Sequence, residues 1–153
     1  MNVINLIANV VLLAAMETAV AAPVAAPAPK ADILGVWKGT SICAKVEGNE
    51  FCRDETVVYN IVDIPNQPAT VTLKAARVVD DVVQPMYSLY FTYRPDQGRW
   101  TSAFERPSFR GIWDYVIHGD EMTGTATVLP GLTIVRNVTV KRVPKDDVRE
   151  SRP

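Results

Sequence analysis

The amino-acid sequence predicts an all-β protein that forms a single eight-stranded antiparallel up-and-down barrel. From Ile33 onward the chain is a series of short runs rich in Val, Ile, Thr, Tyr, Phe and Trp, separated by turn residues, and no long stretch keeps a helical period. Successive hairpins leave two exposed edges in an open sheet, whereas closure into a barrel removes both edges. The interior of such a barrel is either filled by side chains or holds one small ligand.

Turn-forming residues delimit the strands of the first half of this barrel. Pro65-Asn66-Gln67-Pro68 ends the second strand, and Asp80-Asp81 ends the third. The third strand shows the clearest alternation, because Val71, Leu73 and Ala75 alternate with threonine and lysine. The eight predicted strands cover residues 34–43, 56–64, 69–79, 86–93, 99–104, 110–117, 122–129 and 132–143.

The second half of the barrel carries the strongest turn signal. Pro95-Asp96-Gln97-Gly98 joins the fourth and fifth strands, with proline presetting the backbone and glycine closing the turn. Arg106-Pro107-Ser108 ends the fifth strand, His118-Gly119-Asp120 the sixth and Pro130-Gly131 the seventh. One face of the seventh strand carries three threonines, and the opposite face carries Met122, Gly124, Ala126 and Val128.

Residues 1–21 are predicted to be a secretory signal peptide. An apolar run from Leu6 to Met16 precedes Ala19-Val20-Ala21, which fits the small-x-small rule for signal peptidase. The basic n-region of such signals is missing, since the first basic residue is Lys30. A membrane anchor is the alternative, but spanning needs about 20 apolar residues and polar residues interrupt this run. The signal peptide therefore predicts that the protein is exported and is either periplasmic or secreted.

Two segments flank the predicted barrel domain, which covers residues 33–143. Residues 22–32 form an Ala/Pro-rich linker that favours extended polyproline II structure, and the alternative is an arm that inserts into a partner. Residues 144–153 are charged and lack an apolar period, so they are predicted to be a disordered tail.

The balance of charge excludes a strongly basic nucleic-acid binder. The chain has 16 Lys and Arg residues and 17 Asp and Glu residues, which gives a formal net charge of −1. Removal of the signal takes Glu17 with it and leaves 16 basic and 16 acidic residues. This balance of charges gives the mature chain no electrostatic attraction to an anionic membrane. No stable membrane insertion is expected after cleavage. One histidine and two cysteines exclude a zinc site of several such ligands, and no metal or cofactor is predicted.

Cys43 and Cys52 are the only cysteines, and export places them in an oxidising compartment where such a pair forms a disulfide. Gly48-Asn49 is a natural turn within the loop that the bridge closes. Chain entropy for a loop of about ten residues gives about 2.7 kcal/mol of stabilisation. The spacing excludes a redox CxxC motif.

The two ends of the barrel sequence resemble a known signature. Gly35-Val36-Trp37 on the first strand, with Arg142 late on the last, resembles the calycin (lipocalin-like) superfamily. The resemblance implies that Trp37 lies across the closed end of the barrel with the Arg142 guanidinium packed on its ring face. Residues 34–143 also resemble small exported bacterial proteins of unknown function that share a GxWxGTSxC start, a second Cys before a DExVVY strand and a VKRV-like end. This resemblance implies the fold and carries no activity over.

Catalytic constellations are not apparent in the sequence, so the protein is predicted not to be an enzyme. His118 is the only imidazole, and it lies in a predicted hairpin turn exposed to solvent. Carboxylates occur as adjacent pairs, which point apart instead of facing each other across a cleft, and solvated turn charges are the expected interpretation. These pairs are Asp54-Glu55, Asp80-Asp81, Asp120-Glu121 and Asp146-Asp147.

Arg136 is the candidate polar residue of the barrel interior. If Leu132, Ile134, Val138 and Val140 face inward, the two-residue period places Arg136 inside as well. A buried arginine needs a partner, so Arg136 either anchors an acidic ligand head group or has a structural role. In the structural role, which is the favoured interpretation, it pairs with an internal Asp, Glu or Tyr, or a strand bulge turns it outward.

Aromatic residues at alternating strand positions are the candidate apolar walls, with Tyr59, Phe91 and Trp113 predicted to contact a ligand. Small residues such as Gly39, Ser41 and Ala126 leave space beside them, and they fit a cavity and an interlocked core equally well. The sequence therefore predicts an exported, non-enzymatic, lipocalin-like barrel that binds a small apolar or amphipathic ligand. The alternative is an interaction module, or an inhibitor of a secreted enzyme, that acts through its surface or its N-terminal arm.

Overall fold

The computed structural model describes residues 30–145, which form a closed antiparallel barrel in which each strand pairs with the next and the last pairs with the first. This arrangement confirms the predicted eight-stranded up-and-down fold. The predicted signal peptide, most of the linker and nearly all of the tail lie outside the described residues. The strands are β1 (Gly35–Cys43), β2 (Glu55–Asp63), β3 (Thr70–Val79), β4 (Val82–Arg94), β5 (Arg99–Arg106), β6 (Phe109–His118), β7 (Glu121–Leu129) and β8 (Thr133–Val143).

A one-turn helix, α1 (Lys30–Ile33), precedes the barrel where an extended linker was predicted through residue 32. Tertiary contacts explain the difference, because the Lys30 ammonium donates to the carbonyl of Gln67 at 2.7 Å and forms an ion pair with Asp63. Ile33 is fully buried. The helix therefore docks against the β2–β3 turn and contributes to the core.

Trp37 and Arg142 seal this end of the barrel, and the pairing that the resemblance implies is present. The guanidinium carbon of Arg142 lies 4.3 Å from the centroid of the Trp37 ring, and the indole N–H of Trp37 donates to the Ile33 carbonyl at 2.9 Å. Arg142 also donates hydrogen bonds to the carbonyls of Asp32 and Leu34 and to the carboxylate of Asp120. We call this end the closed end.

The lower half of the interior, next to the closed end, is a packed aromatic and aliphatic core. Rings meet there at centroid distances of 5.1 Å between Phe91 and Tyr115 and 5.3 Å between Tyr93 and Trp100. Glycine allows close approach: a Cβ on Gly124 would lie 2.7 Å from a ring carbon of Tyr115. Large and small side chains therefore interlock in this half, which was one of the two predicted arrangements.

Strand β4 begins at Val82, four residues earlier than predicted. Asp80 and Asp81 have φ angles of 50° and 62°, the left-handed conformation that a two-residue hairpin turn with the favoured twist requires. Pro85 sits where the β3–β4 register shifts, and a bulge tolerates its missing N–H. The tight turn and the bulge together let the strand extend through a proline.

A second register shift, between β7 and β8, corrects the predicted facing of the last strand. Ala126 pairs with Arg136, whereas Thr127 pairs with Ile134, so one extra residue lies on β8. Ile134 consequently points outward and is 43% exposed, although it was predicted to face inward. Leu132, which was also predicted to face inward, lies in the turn before β8 with a φ of 52° and is 69% exposed. The predicted inward facing of Val138 and Val140 is confirmed, since both are buried.

The wall of the barrel is incomplete between β4 and β5. Only three residue pairs join these strands, from Arg94 with Arg99 to Thr92 with Thr101, and beyond them the described residues form no ladder between the two strands. The strands diverge toward the end opposite Trp37, which we call the open end. We name the unpaired stretch, residues 84–91 of β4 and 102–106 of β5, the β4–β5 slit.

Candidate ligand-binding site at the open end

The open end of the barrel contains a cavity of about 990 Å³. It lies among the upper halves of the strands and beneath the loop between β1 and β2. Six aromatic side chains from different parts of the chain supply most of its apolar wall. They are Phe51, Tyr59, Tyr87, Phe104, Phe109 and Trp113.

Arg136 forms the polar wall of this cavity and is held on several sides. Its Nη1 lies 3.1 Å from a carboxylate oxygen of Glu55 and donates to the Ser41 hydroxyl at 2.7 Å, while Nη2 donates to the Arg53 carbonyl at 2.8 Å. The side chain is 17% exposed, so its charge is largely removed from bulk water and balanced by Glu55. This geometry realises the favoured prediction, a structural pair with an internal acid.

Three tyrosines lie close to this ion pair inside the barrel. Burial raises the pKa of Tyr87 to about 12, and it also raises the pKa of Tyr59 and of Tyr115, each against a weaker lowering effect of the Arg136 charge. All three phenols are therefore neutral near pH 7. Each neutral phenol that faces the cavity offers one O–H donor and acceptor lone pairs to a bound polar group.

The structure brings most of the predicted ligand-contacting residues together. Tyr59, Trp113 and Arg136 line the cavity, from β2, β6 and β8 respectively. Phe91 does not, because it lies further toward the closed end, buried with its ring centroid 5.1 Å from that of Tyr115. Alternation along a strand identifies the inward face but not the height of a side chain within the barrel.

Sequence reasoning missed Glu55 and identified Ser41 only as a small residue of the interior, whereas both contact Arg136 and complete the polar wall. Glu55 was predicted to be a solvated turn charge beside Asp54, and the structure corrects this, because Glu55 is the first residue of β2 and its carboxylate pairs with Arg136. The sequence did contain a signal for Glu55. It lies two residues before Val57 and four before Tyr59, so the alternation of a strand places its side chain on the same inward face.

The loop between β1 and β2 covers one side of the cavity and is fixed by the Cys43–Cys52 disulfide, which confirms the predicted pairing. The Asn49 side chain donates to the carbonyls of Ala44 and Val135 at 2.8 and 2.9 Å, which ties the loop to β8. Phe51 lies at the rim of the cavity and is 92% exposed.

A second concavity of about 800 Å³ lies on the outside of the barrel, over β1 to β4. Outward-facing side chains such as Val36, Val58 and Lys74 line it. The cavity at the open end is larger and contains a partly buried ion pair, so we take it as the candidate site.

His118 is exposed at the end of β6, in the hairpin that faces the closed end and away from the cavity. In the described part of the chain, no three His, Cys, Asp or Glu side chains are grouped as metal ligands. Within residues 30–145, no helix has the length and apolar character needed to cross a bilayer.

Comparisons of this chain with protein-family models, with curated proteins and with solved structures find no match.

Proposed function

We propose that this protein is an exported, non-enzymatic binding module that holds one small apolar or amphipathic ligand in the open end of its barrel. The observation that carries the proposal is the cavity of about 990 Å³, with aromatic walls and one polar cluster at Arg136. Ligand pockets typically enclose about 300–1,000 Å³ and combine apolar walls with a few placed polar groups.

The charge balance of the polar wall favours an uncharged head group on this ligand. Glu55 already neutralises Arg136, so an anionic head group would meet a carboxylate beside the guanidinium. A hydroxyl, carbonyl or amide instead needs only hydrogen-bond partners, which the phenols of Tyr59 and Tyr87 can supply. The ligand we propose therefore combines an apolar, partly aromatic body with a neutral polar end.

Export of the protein is supported by two features. The Cys43–Cys52 disulfide is typical of oxidising compartments outside the cytosol. The apolar run from Leu6 to Met16, followed by Ala19-Val20-Ala21, has the sequence pattern of a secretory signal peptide.

Two dyes with the same aromatic skeleton test the proposal. Phenylnaphthylamine is neutral, and anilinonaphthalene sulfonate adds one negative charge; both fluoresce when an apolar cavity excludes water. The wild-type protein should bind one molecule of the neutral dye and bind the anionic dye at least tenfold more weakly. Ala126→Leu fills the cavity wall and should abolish neutral-dye binding, whereas Thr40→Leu adds the same side chain on the outer face of β1 and should not. Equal binding to both variants would refute a ligand site inside the barrel.

A further inference from the structure

The β4–β5 slit exposes two strand edges, whereas longer ladders join every other pair of neighbouring strands among the described residues. Continuing the register of the three existing pairs would place Leu89 opposite Phe104 and Phe91 opposite Ser102, yet these pairs are not formed. In antiparallel strands, backbone N–H and C=O groups point alternately to the two sides of the strand. About half of the amides in residues 84–91 and 102–106 therefore point into the slit instead of into a ladder.

The slit passes through the barrel wall into the cavity. Consecutive residues on both strands line the cavity, Met86 to Leu89 on β4 and Ala103 to Arg106 on β5. Because consecutive side chains of a strand point to opposite faces, a cavity confined to the interior would contact only alternate residues. The contact with runs of four shows that the cavity reaches the strand edges and opens sideways.

The β4 edge lacks the charges that usually protect an exposed strand. Residues 84–91 contain no charged side chain, and Pro85 is the one residue there that blunts pairing. Tyr90 lies on the outer face beside the slit and is 70% exposed. Neutral, unpaired edges of this kind pair readily with a further strand.

We propose that the β4–β5 slit binds an extended, uncharged segment of a partner protein by strand addition. The segment pairs its backbone with the free edge of β4, and its alternate side chains enter the aromatic cavity. A lipid chain or a small ligand carries no row of donors and acceptors at strand spacing, whereas an extended backbone matches it. Residues 84–91, with which the segment pairs, carry no charge, and the exposed Glu105 and Arg106 on the β5 side have opposite charges, so the slit matches a segment without charged residues. This partner site uses the side wall of the barrel and goes beyond the proposed small-ligand function.

The experiment selects peptides from a displayed library of random octapeptides, whose extended length of about 26 Å matches the eight residues of the β4 edge. The target is the full chain purified from the periplasm. The most enriched peptide is then synthesised in three forms, unmodified and with N-methyl groups on either alternate set of residues. Amide hydrogen exchange locates its contact site.

We expect the unmodified peptide to slow amide exchange in residues 84–91 at least tenfold, and at least one methylated form to bind at least tenfold more weakly. Tyr90→Lys, which adds a charge beside the slit, should weaken peptide binding. Thr40→Lys adds the same charge at an exposed position of β1 that is paired with both β2 and β8, and should not. Lack of enrichment, protection mapped elsewhere, or equal binding by all three forms would overturn the proposal. Both variants should keep neutral-dye binding, so failure of the peptide site is distinguishable from failure of the small-ligand function.

Discussion

Arg136 shows how one buried residue sets the chemistry of the cavity. A guanidinium removed from water is stable only when its charge and its donors are satisfied, and here Glu55, Ser41 and the Arg53 carbonyl meet that requirement. The same contacts leave the wall polar but without net charge. The preference for a neutral ligand that we propose therefore rests on the pairing of Arg136 with the Glu55 carboxylate.

Removal of that carboxylate charge should reverse the preference of the site. Glu55→Gln keeps the shape of the side chain and leaves the Arg136 charge unbalanced, so the anionic dye should bind at least tenfold more tightly while the neutral dye changes little. Asp54→Asn is the matched control, because it removes one charge from the adjacent exposed residue. Fluorescence titration checks both. An unchanged affinity of the Glu55→Gln protein for the anionic dye would contradict the assigned role of the pair.

The interior tyrosines make stability fall at high pH. Burial raises the pKa of Tyr87 from 10.0 to about 12, so between these values the unfolded chain releases a proton that the folded chain retains. The free energy of unfolding should therefore be unaffected by this group below about pH 10 and should decline above it, by up to about 1.4 kcal/mol per pH unit. Tyr87→Phe should make the decline shallower in urea unfolding measured across this range. If the free energy of unfolding declined with pH equally in the variant and the wild type, the role assigned to Tyr87 would be contradicted.

At the scale of the elements, glycine permits the closest contact between β1 and β8. A Cβ on Gly39 would lie 2.7 Å from the Val140 Cα and would also collide with the Thr139 carbonyl. Gly39→Ala should therefore lower the free energy of unfolding by about 3 kcal/mol or more. Gly48→Ala, at a φ of +81° with no neighbour within 4 Å, should cost about 1 kcal/mol. Urea unfolding compares the two, and equal losses would contradict the packing described for this barrel.

The local sequence pattern predicted where the strands lie, but it did not predict where their pairing is irregular. The alternation in β3 and the Pro95–Gly98 turn identify their elements correctly, because hydrophobic period and turn chemistry are local properties. The extra residue on β8 and the start of β4 before Pro85 depend on how neighbouring strands pair. A bulge alters which face a residue occupies without any local signal, which is why Ile134 was assigned to the wrong face.

The candidate site was predictable only for residues that alternate along a strand in step with the inward-facing core residues. Tyr59, Trp113 and Arg136 follow from alternation, and the same reasoning selected Phe91, which lies too deep. Glu55 was missed because it stands next to a turn, where a carboxylate is usually solvated. The β4–β5 slit is beyond local reasoning, because it reflects the curvature of the whole wall.

The whole molecule has two chemically different ends. At the closed end, the exposed residues of the described turns are polar residues, proline and glycine, and α1 docks beneath Trp37. At the open end, each of the four connections carries or adjoins exposed apolar side chains, including Phe51, Phe109 and Leu132. This polarity along the barrel axis supports our proposal that a ligand binds at the open end.

The tryptophan indole resonances test this claim most directly, because the chain has three tryptophans at different heights in the barrel. Trp113 lines the cavity, while Trp37 lies at the closed end with its indole N–H bonded to Ile33. A proton–nitrogen correlation spectrum recorded during titration with phenylnaphthylamine should show the Trp113 indole signal moving to saturation at one equivalent and the Trp37 signal unmoved. A stationary Trp113 signal at saturating dye, or movement of the Trp37 signal instead, would contradict binding at the open end.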